Sequence, residues 1–150
     1  MISVEEAYRT IIAGFAPLAP TRVPLLEASG RVLAEDVISP EAIPPFDNSA
    51  MDGYAVRFAD CRDASEAAPV ALQVLADLAA GYTTEEEVRP GTAVRIMTGA
   101  PVPRGADAVV MREETREAPD RVEILVPPEE GEHIRRAGED IERGATVFTA

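Results

Sequence analysis

The stretch Pro44-Pro45-Phe46-Asp47-Asn48-Ser49-Ala50-Met51-Asp52-Gly53-Tyr54-Ala55-Val56 decides how the rest of this chain is read. Two consecutive prolines make a stiff, extended approach with little entropy left to lose. Asp47, Asn48 and Ser49 then bring short polar side chains that fold back on nearby main-chain groups. Asp52-Gly53 predicts a second corner in which glycine takes a positive φ, and Tyr54-Ala55-Val56 leaves that corner as a strand. A carboxylate, Asp52, is thereby set at the mouth of a strand. On turn chemistry alone the block is simply a well-made turn, with Asp47 and Asn48 satisfying backbone donors.

Toward the N-terminus, Pro40 to Pro45 is the clearest boundary, because it is stiff and continues neither a helix nor a strand. Before it, Arg31 to Ile38 reads as a strand, Leu26 to Ser29 as a turn of helix closed by Gly30, and Val23-Pro24-Leu25 as a short edge strand. Ser3 with Glu6 forms a capping box, and Val4, Ala7, Tyr8, Ile11 and Ile12 recur at helical spacing. The prediction is an amphipathic helix ending near Gly14, whose apolar stripe packs on its own chain or on a partner subunit.

Toward the C-terminus, Asp60 to Ala68 is a loop or short helix. Pro69 to Ala80 fits both an alternating strand and a helix face; the bracketing Pro69 and Gly81 decide for a strand with a bulge. Thr92 to Met97, Asp107 to Arg112, Val122 to Val126 and Thr146 to Phe148 are further strands, separated by Gly/Pro turns such as Pro90-Gly91 and Gly99 to Gly105. The fold class that follows is α+β and predominantly β: an N-terminal amphipathic helix with short strands, then a compact, coiled, mixed β-sheet domain.

Aspartate and glutamate total 27 against 14 basic residues in 150, all arginine, for a formal charge of −13. Such a field repels phosphate backbones, so nucleic acid is not the expected partner, and an anionic small molecule needs local arginines or a divalent cation to be held at all. The single cysteine, Cys61, cannot form an intramolecular disulfide, and no His/Cys spacing suggests zinc. Met1-Ile2-Ser3-Val4-Glu5-Glu6 has no signal-peptide character and no run is long enough to span a membrane, which assigns the chain to the cytoplasm.

Phe46 to Val56 resembles, as a block, the signature of the molybdopterin molybdotransferases, the family of bacterial MoeA and of the E domain of gephyrin. Met97-Thr98-Gly99-Ala100-Pro101 and Gly138-Glu139-Asp140-Ile141 resemble two further segments of that family. In each a polar side chain stands beside a glycine near a strand end, so the three either converge on one rim or are three independent turns. The resemblance implies a transferase of molybdenum cofactor biosynthesis that takes adenylylated molybdopterin and molybdate, inserts the metal into the dithiolene and releases AMP, with Mg²⁺ as cofactor. It carries Asp52, Thr98 and Asp140 over as catalytic positions. Asp52 and Asp140 would be ligands of Mg²⁺ or its water shell, and Thr98 would donate a hydrogen bond to a phosphate or oxyanion. Asp47, Asn48 and Ser49 would shape the signature turn and, with Arg135 and Arg136, form the substrate-binding set; a surface salt bridge is the competing role for the two arginines. His133 is read as exposed and without a role.

The resemblance covers the whole chain but only the first part of the family's architecture. It assigns residues 1–43 with 145–150 to an elongated, discontinuous and truncated module, and 44–144 to a β-rich module. No βαβ repeat or Gly-rich phosphate loop supplies a pterin site, so an N-terminal fragment, inactive alone, is expected. Its expected partners are the remaining C-terminal modules and, in the full-length protein, a second copy. Two other readings stay open: a non-catalytic dimerisation or interaction scaffold of the gephyrin type, and a small acidic divalent-metal binder, the latter weakened by the lack of an EF-hand-like ligand loop.

Overall fold

The computed structural model describes residues 2–150, which divide into two compact units: residues up to 37 with 148–150, and residues 38–147. In the first unit, helix α1 (Val4–Ala13) begins at the expected capping box. Ser3 Oγ accepts from the Glu6 N–H at 3.2 Å, and Glu6 Oε2 accepts from the Ser3 N–H at 2.8 Å. Gly14 caps the other end, donating its N–H to Ile11 O. The apolar stripe of α1 is uncovered, with Val4 88%, Tyr8 62% and Ile11 61% exposed.

Two expected strands are corrected here. Val23 to Leu25 is not a strand; Leu25–Glu27 forms a 3₁₀ turn, and of Arg31 to Ile38 only β1 (Val37–Ile38) is extended and paired. The reason is physical: no described residue of the first unit is buried, and strand propensity without a partner ladder or an apolar face to cover does not hold a strand.

The second unit is built on β2 (Asn48–Ser49), β3 (Gly53–Val56), β4 (Val70–Leu78), β5 (Thr92–Ile96), β6 (Ala108–Met111), β7 (Thr115–Ala118), β8 (Arg121–Ile124) and β9 (Ile134–Arg135), with the short helix α2 (Phe58–Cys61). Strand β10 (Thr146–Phe148) follows, and with β1 it carries the chain across the division. Six strands form one curled, mixed sheet in the order β6-β3-β5-β4-β8-β7, in which only the β4–β5 pair is parallel. The expected bulge is present: the β4–β5 register shifts between Val74 and Asp77.

Alternation along the strands divides the core in two. Tyr54, Val56, Ala93, Val110 and Val122 pack with Leu72, Ile124 and Cys61 on one face; Ala55, Val94, Ile96 and Val109 pack with Leu78, Val88 and Ala100 on the other. Both faces of the central strands are therefore dry. Burial pushes the Cys61 thiol up to about 12, with help from the charges of Asp60 and Asp107, so it stays protonated and inert.

Gly53 is needed for a reason other than the one its sequence context suggests. Its φ is not positive; it lies in the middle of the sheet between Ile96 and Met111, and a Cβ built on it would stand 2.0 Å from the carbonyl oxygen of Val110. The constraint is close strand approach, not turn geometry.

Candidate functional site

The signature block runs between two other stretches of backbone. On one side Gly99 donates its N–H to Ser49 O at 2.8 Å, Ser49 donates to Ala100 O at 3.0 Å, and Val102 donates to Asp47 O at 3.0 Å. On the other, β2 pairs antiparallel with β9, Asn48 opposite Arg135 and Ser49 opposite Ile134. Gly138 and Asp140 then donate their N–H groups to Pro44 O and Ile43 O, both at 2.9 Å. The three motif segments are thus interlocked along one rim, and the picture of three independent turns does not hold.

Each polar side chain of the rim has a definite partner. Asp52 Oδ1 accepts from both the N–H and the hydroxyl of Thr98, each at 2.7 Å, joining positions 46 residues apart. Those two bonds, the backbone one first, hold the Asp52 carboxyl below its ordinary range and keep it ionised. Asp47 accepts from the Ala137 N–H at 2.8 Å and from Arg136 Nη1 at 2.7 Å, and is likewise held low, by the amide first and the guanidinium second. Asp140 is ion-paired with Arg135. Asn48 and Ser49 are buried with their polar atoms turned onto local backbone: Asn48 Nδ2 donates to Phe46 O at 3.1 Å, and Ser49 Oγ donates to Met51 O at 2.5 Å.

His133 departs from its expected exposure. Its side chain is only 22% exposed, its φ is 56°, and its carbonyl accepts from the Ala50 N–H at 2.8 Å. A turn closed by the Ile134 N–H on Gly131 O draws it against the signature block.

The Asp47 contact gives a pH-dependent result. Its folded value lies below its unfolded value, so the stabilisation is complete above the unfolded value of about 3.9 and is lost as pH falls through the folded one. Arg136→Ala is expected to move the Asp47 midpoint up toward the ordinary range without reaching it, because the Ala137 amide remains. Carboxylate ¹³C NMR titration measures this; an unmoved midpoint would mean that the guanidinium contributes nothing.

Among the described residues no group of three or more His, Cys, Asp or Glu side chains could hold a metal ion. The donors that are present are hard oxygens. Asp52 is exposed and ionised, and only its Oδ1 is engaged by hydrogen bonds among the described residues. Mg²⁺ keeps several waters and takes one or two carboxylates together with substrate phosphates, so a sparse oxygen set of this kind fits it. Asp140 is ion-paired with Arg135 and bonded through its N–H to Ile43 O, and it shares no hydrogen bond with Asp52.

The sequence reading passed over Tyr54, Arg95, Arg112 and Glu117, which cluster beside Asp52. Tyr54 Oη donates to Glu117 Oε1 and Arg112 Nη2 donates to Glu117 Oε2, both at 2.9 Å, while Arg95 approaches the same carboxylate at 3.8 Å. Burial first, and then the Glu117 bond, push the Tyr54 hydroxyl up to about 12.

The family model described as MoeA N-terminal region (domain I and II) matches residues 2–150, and the chain belongs to that family. It is 48% identical over 148 residues to molybdopterin molybdenumtransferase 2 of Mycobacterium tuberculosis (strain ATCC 25618 / H37Rv), covering 99% of this chain and 36% of that protein. It is 39% identical over 153 residues to molybdopterin molybdenumtransferase of Bacillus subtilis (strain 168), covering 99% of this chain and 35% of that protein. A crystal structure of the molybdopterin biosynthesis moeA protein from Pyrococcus horikoshii OT3 superposes with a TM-score of 0.81 at 43% identity, over 85% of this chain and 34% of that one. The chain therefore spans little more than a third of the length of the curated relatives it matches.

Proposed function

We propose that this chain is the N-terminal part of a molybdopterin molybdotransferase, which inserts molybdate into adenylylated molybdopterin with release of AMP. The observation that carries the reading is the Asp52–Thr98 contact, which fixes an ionised carboxylate at an exposed rim shared by all three family motifs. Asp52 and Asp140 would hold Mg²⁺ or its water shell; bound there, the ion supplies charge neutralisation and polarises a phosphoryl oxygen. Thr98 orients Asp52 through its N–H and its hydroxyl; that hydroxyl would donate to a phosphate oxygen only on turning away from Asp52. Arg135 and Arg136 balance the rim carboxylates, and Asp47, Asn48 and Ser49 hold the turn that presents them. Residues 1–43 with 145–150 belong in this reading to an elongated module and 44–144 to a β-rich one, with activity requiring the remaining modules.

The test is complementation. The chain is mixed with the separately expressed remainder of the protein, adenylylated molybdopterin, molybdate and Mg²⁺, and AMP is followed. Release is expected only with both parts present. Release by the remainder alone, or none from a folded, associated pair when the intact enzyme works in the same assay, overturns the reading. A second reading, a dimerisation or scaffold module, is favoured by one observation: the uncovered apolar stripe of α1, which suits a second copy of the chain.

A further inference from the structure

The rim carries two arginines, Arg95 and Arg112, that the three motifs do not include. Strand register supplies the first step. Gly53 lies opposite Met111, so Asp52 comes alongside Arg112, and the Arg112 N–H donates to Asp52 O at 3.1 Å. Gly53 also lies opposite Ile96, so Thr98 approaches from the other neighbouring strand and Arg95 lies opposite Tyr54. Asp52 is therefore flanked by Thr98 on one side and Arg112 on the other.

Charge supplies the second step. Arg135 with Asp140 and Arg136 with Asp47 are one-to-one pairs, and each neutralises itself. Glu117 instead faces two guanidiniums, with Arg112 at 2.9 Å and Arg95 at 3.8 Å. Asp77, 3.9 Å from Arg95 and 73% exposed, is a weaker screen, and the charges of Asp52 and Glu113 also act on Arg112. Arg112 spends one nitrogen on Glu117, is 55% exposed, and keeps its remaining donors free of partners among the described residues. Glu117 is itself fixed by the Tyr54 hydroxyl, so the guanidinium is held in place instead of sampling solvent.

We infer that Arg112 is a phosphate-binding residue of the Asp52 rim and that Glu117 is its positioning residue, the ligand being a phosphate oxygen of a phosphoanhydride. The inference rests on the adenylylated substrate proposed above. It also answers a requirement of the whole molecule, since a chain of charge −13 needs a fixed local cation to hold such an anion.

Binding of inorganic pyrophosphate with Mg²⁺ to the chain, followed by NMR titration, separates this inference from the reaction itself, which AMP release reports. Arg112→Ala is expected to weaken binding about tenfold or more, and Arg112→Lys, which keeps the charge and loses the planar fork, by less. Glu117→Gln is expected to weaken it severalfold while leaving the sheet amide shifts in place. Arg116→Ala removes an arginine paired with Glu123 elsewhere on the sheet and is expected to leave binding unchanged. Equal affinity in the wild-type chain and Arg112→Ala, or no binding by the wild-type chain, overturns the inference whatever AMP release shows. Loss of AMP release with the pyrophosphate ranking intact would strike the proposed reaction and leave the arginine's role standing.

Discussion

Gly53→Ala is expected to destabilise the chain by about 3 kcal/mol, at the upper end of what overpacking costs. The added methyl would stand 2.0 Å from Val110 O and 2.9 Å from Val110 C, both backbone atoms of the strand paired directly with β3. No rotamer change relieves such a contact. Strands β3 and β6 must separate, and the hydrogen bonds between them and the cores on both faces move with them. For a domain of this size the loss corresponds to a fall in Tm of about 10 °C. Gly81→Ala is the control: its φ is +83° and nothing lies within 4 Å of the added carbon, so only backbone strain of about 1 kcal/mol is expected. Calorimetry on the two variants decides the matter, and equal losses would show that close approach at Gly53 is not what constrains it.

Asp52→Asn is expected to lower AMP release by about a hundredfold or more when the chain is assayed with the remaining modules, in the range seen when a preorganised electrostatic contact is removed from a reacting centre. The substitution is chosen for what it leaves alone. An asparagine Oδ1 still accepts from the Thr98 N–H and hydroxyl, so the link between the two strand ends survives and only the charge is lost. Thr98→Val makes the complementary change, removing the hydroxyl donor while the amide bond stays. Because Thr98 holds the Asp52 carboxyl low, activity of the unaltered protein should not fall as pH drops into the ordinary carboxylate range on account of this group. Activity retained in Asp52→Asn, with the fold intact by NMR, would remove Asp52 from the chemistry.

Much of the sheet was legible because its strands are short apolar stretches between Gly/Pro turns. β8 buries alternate residues, β5 and β6 are apolar runs buried on both faces, and the bulge in β4 goes with the doubtful alternation around Val74. β7 was not legible: Thr115-Arg116-Glu117-Ala118 is an edge strand without a single buried residue, so it carries no apolar pattern and is held by pairing with β8 and by the bonds Glu117 accepts. The same invisibility hid Glu117 and therefore the arginines around Asp52. The β3–β6 register that sets Arg112 beside Asp52 joins residues nearly sixty apart, and local chemistry does not encode such a pairing. The reading of Gly53 went astray for a related reason: a glycine after an aspartate looks like a corner, whereas the neighbour that excludes a side chain, Val110, is remote in sequence.

The interlocked rim also fixes an order of events during synthesis. Asp47 finds its two donors 89 and 90 residues further on, at Arg136 and Ala137. A ribosome has to deliver almost the whole of this chain before the signature turn can be locked. Until then the turn is tied on one side only, to residues 98–102, and its Asp47 side chain lacks its donors. A released chain truncated before residue 136 would therefore leave the signature more open to proteases than one that includes Arg136 and Ala137.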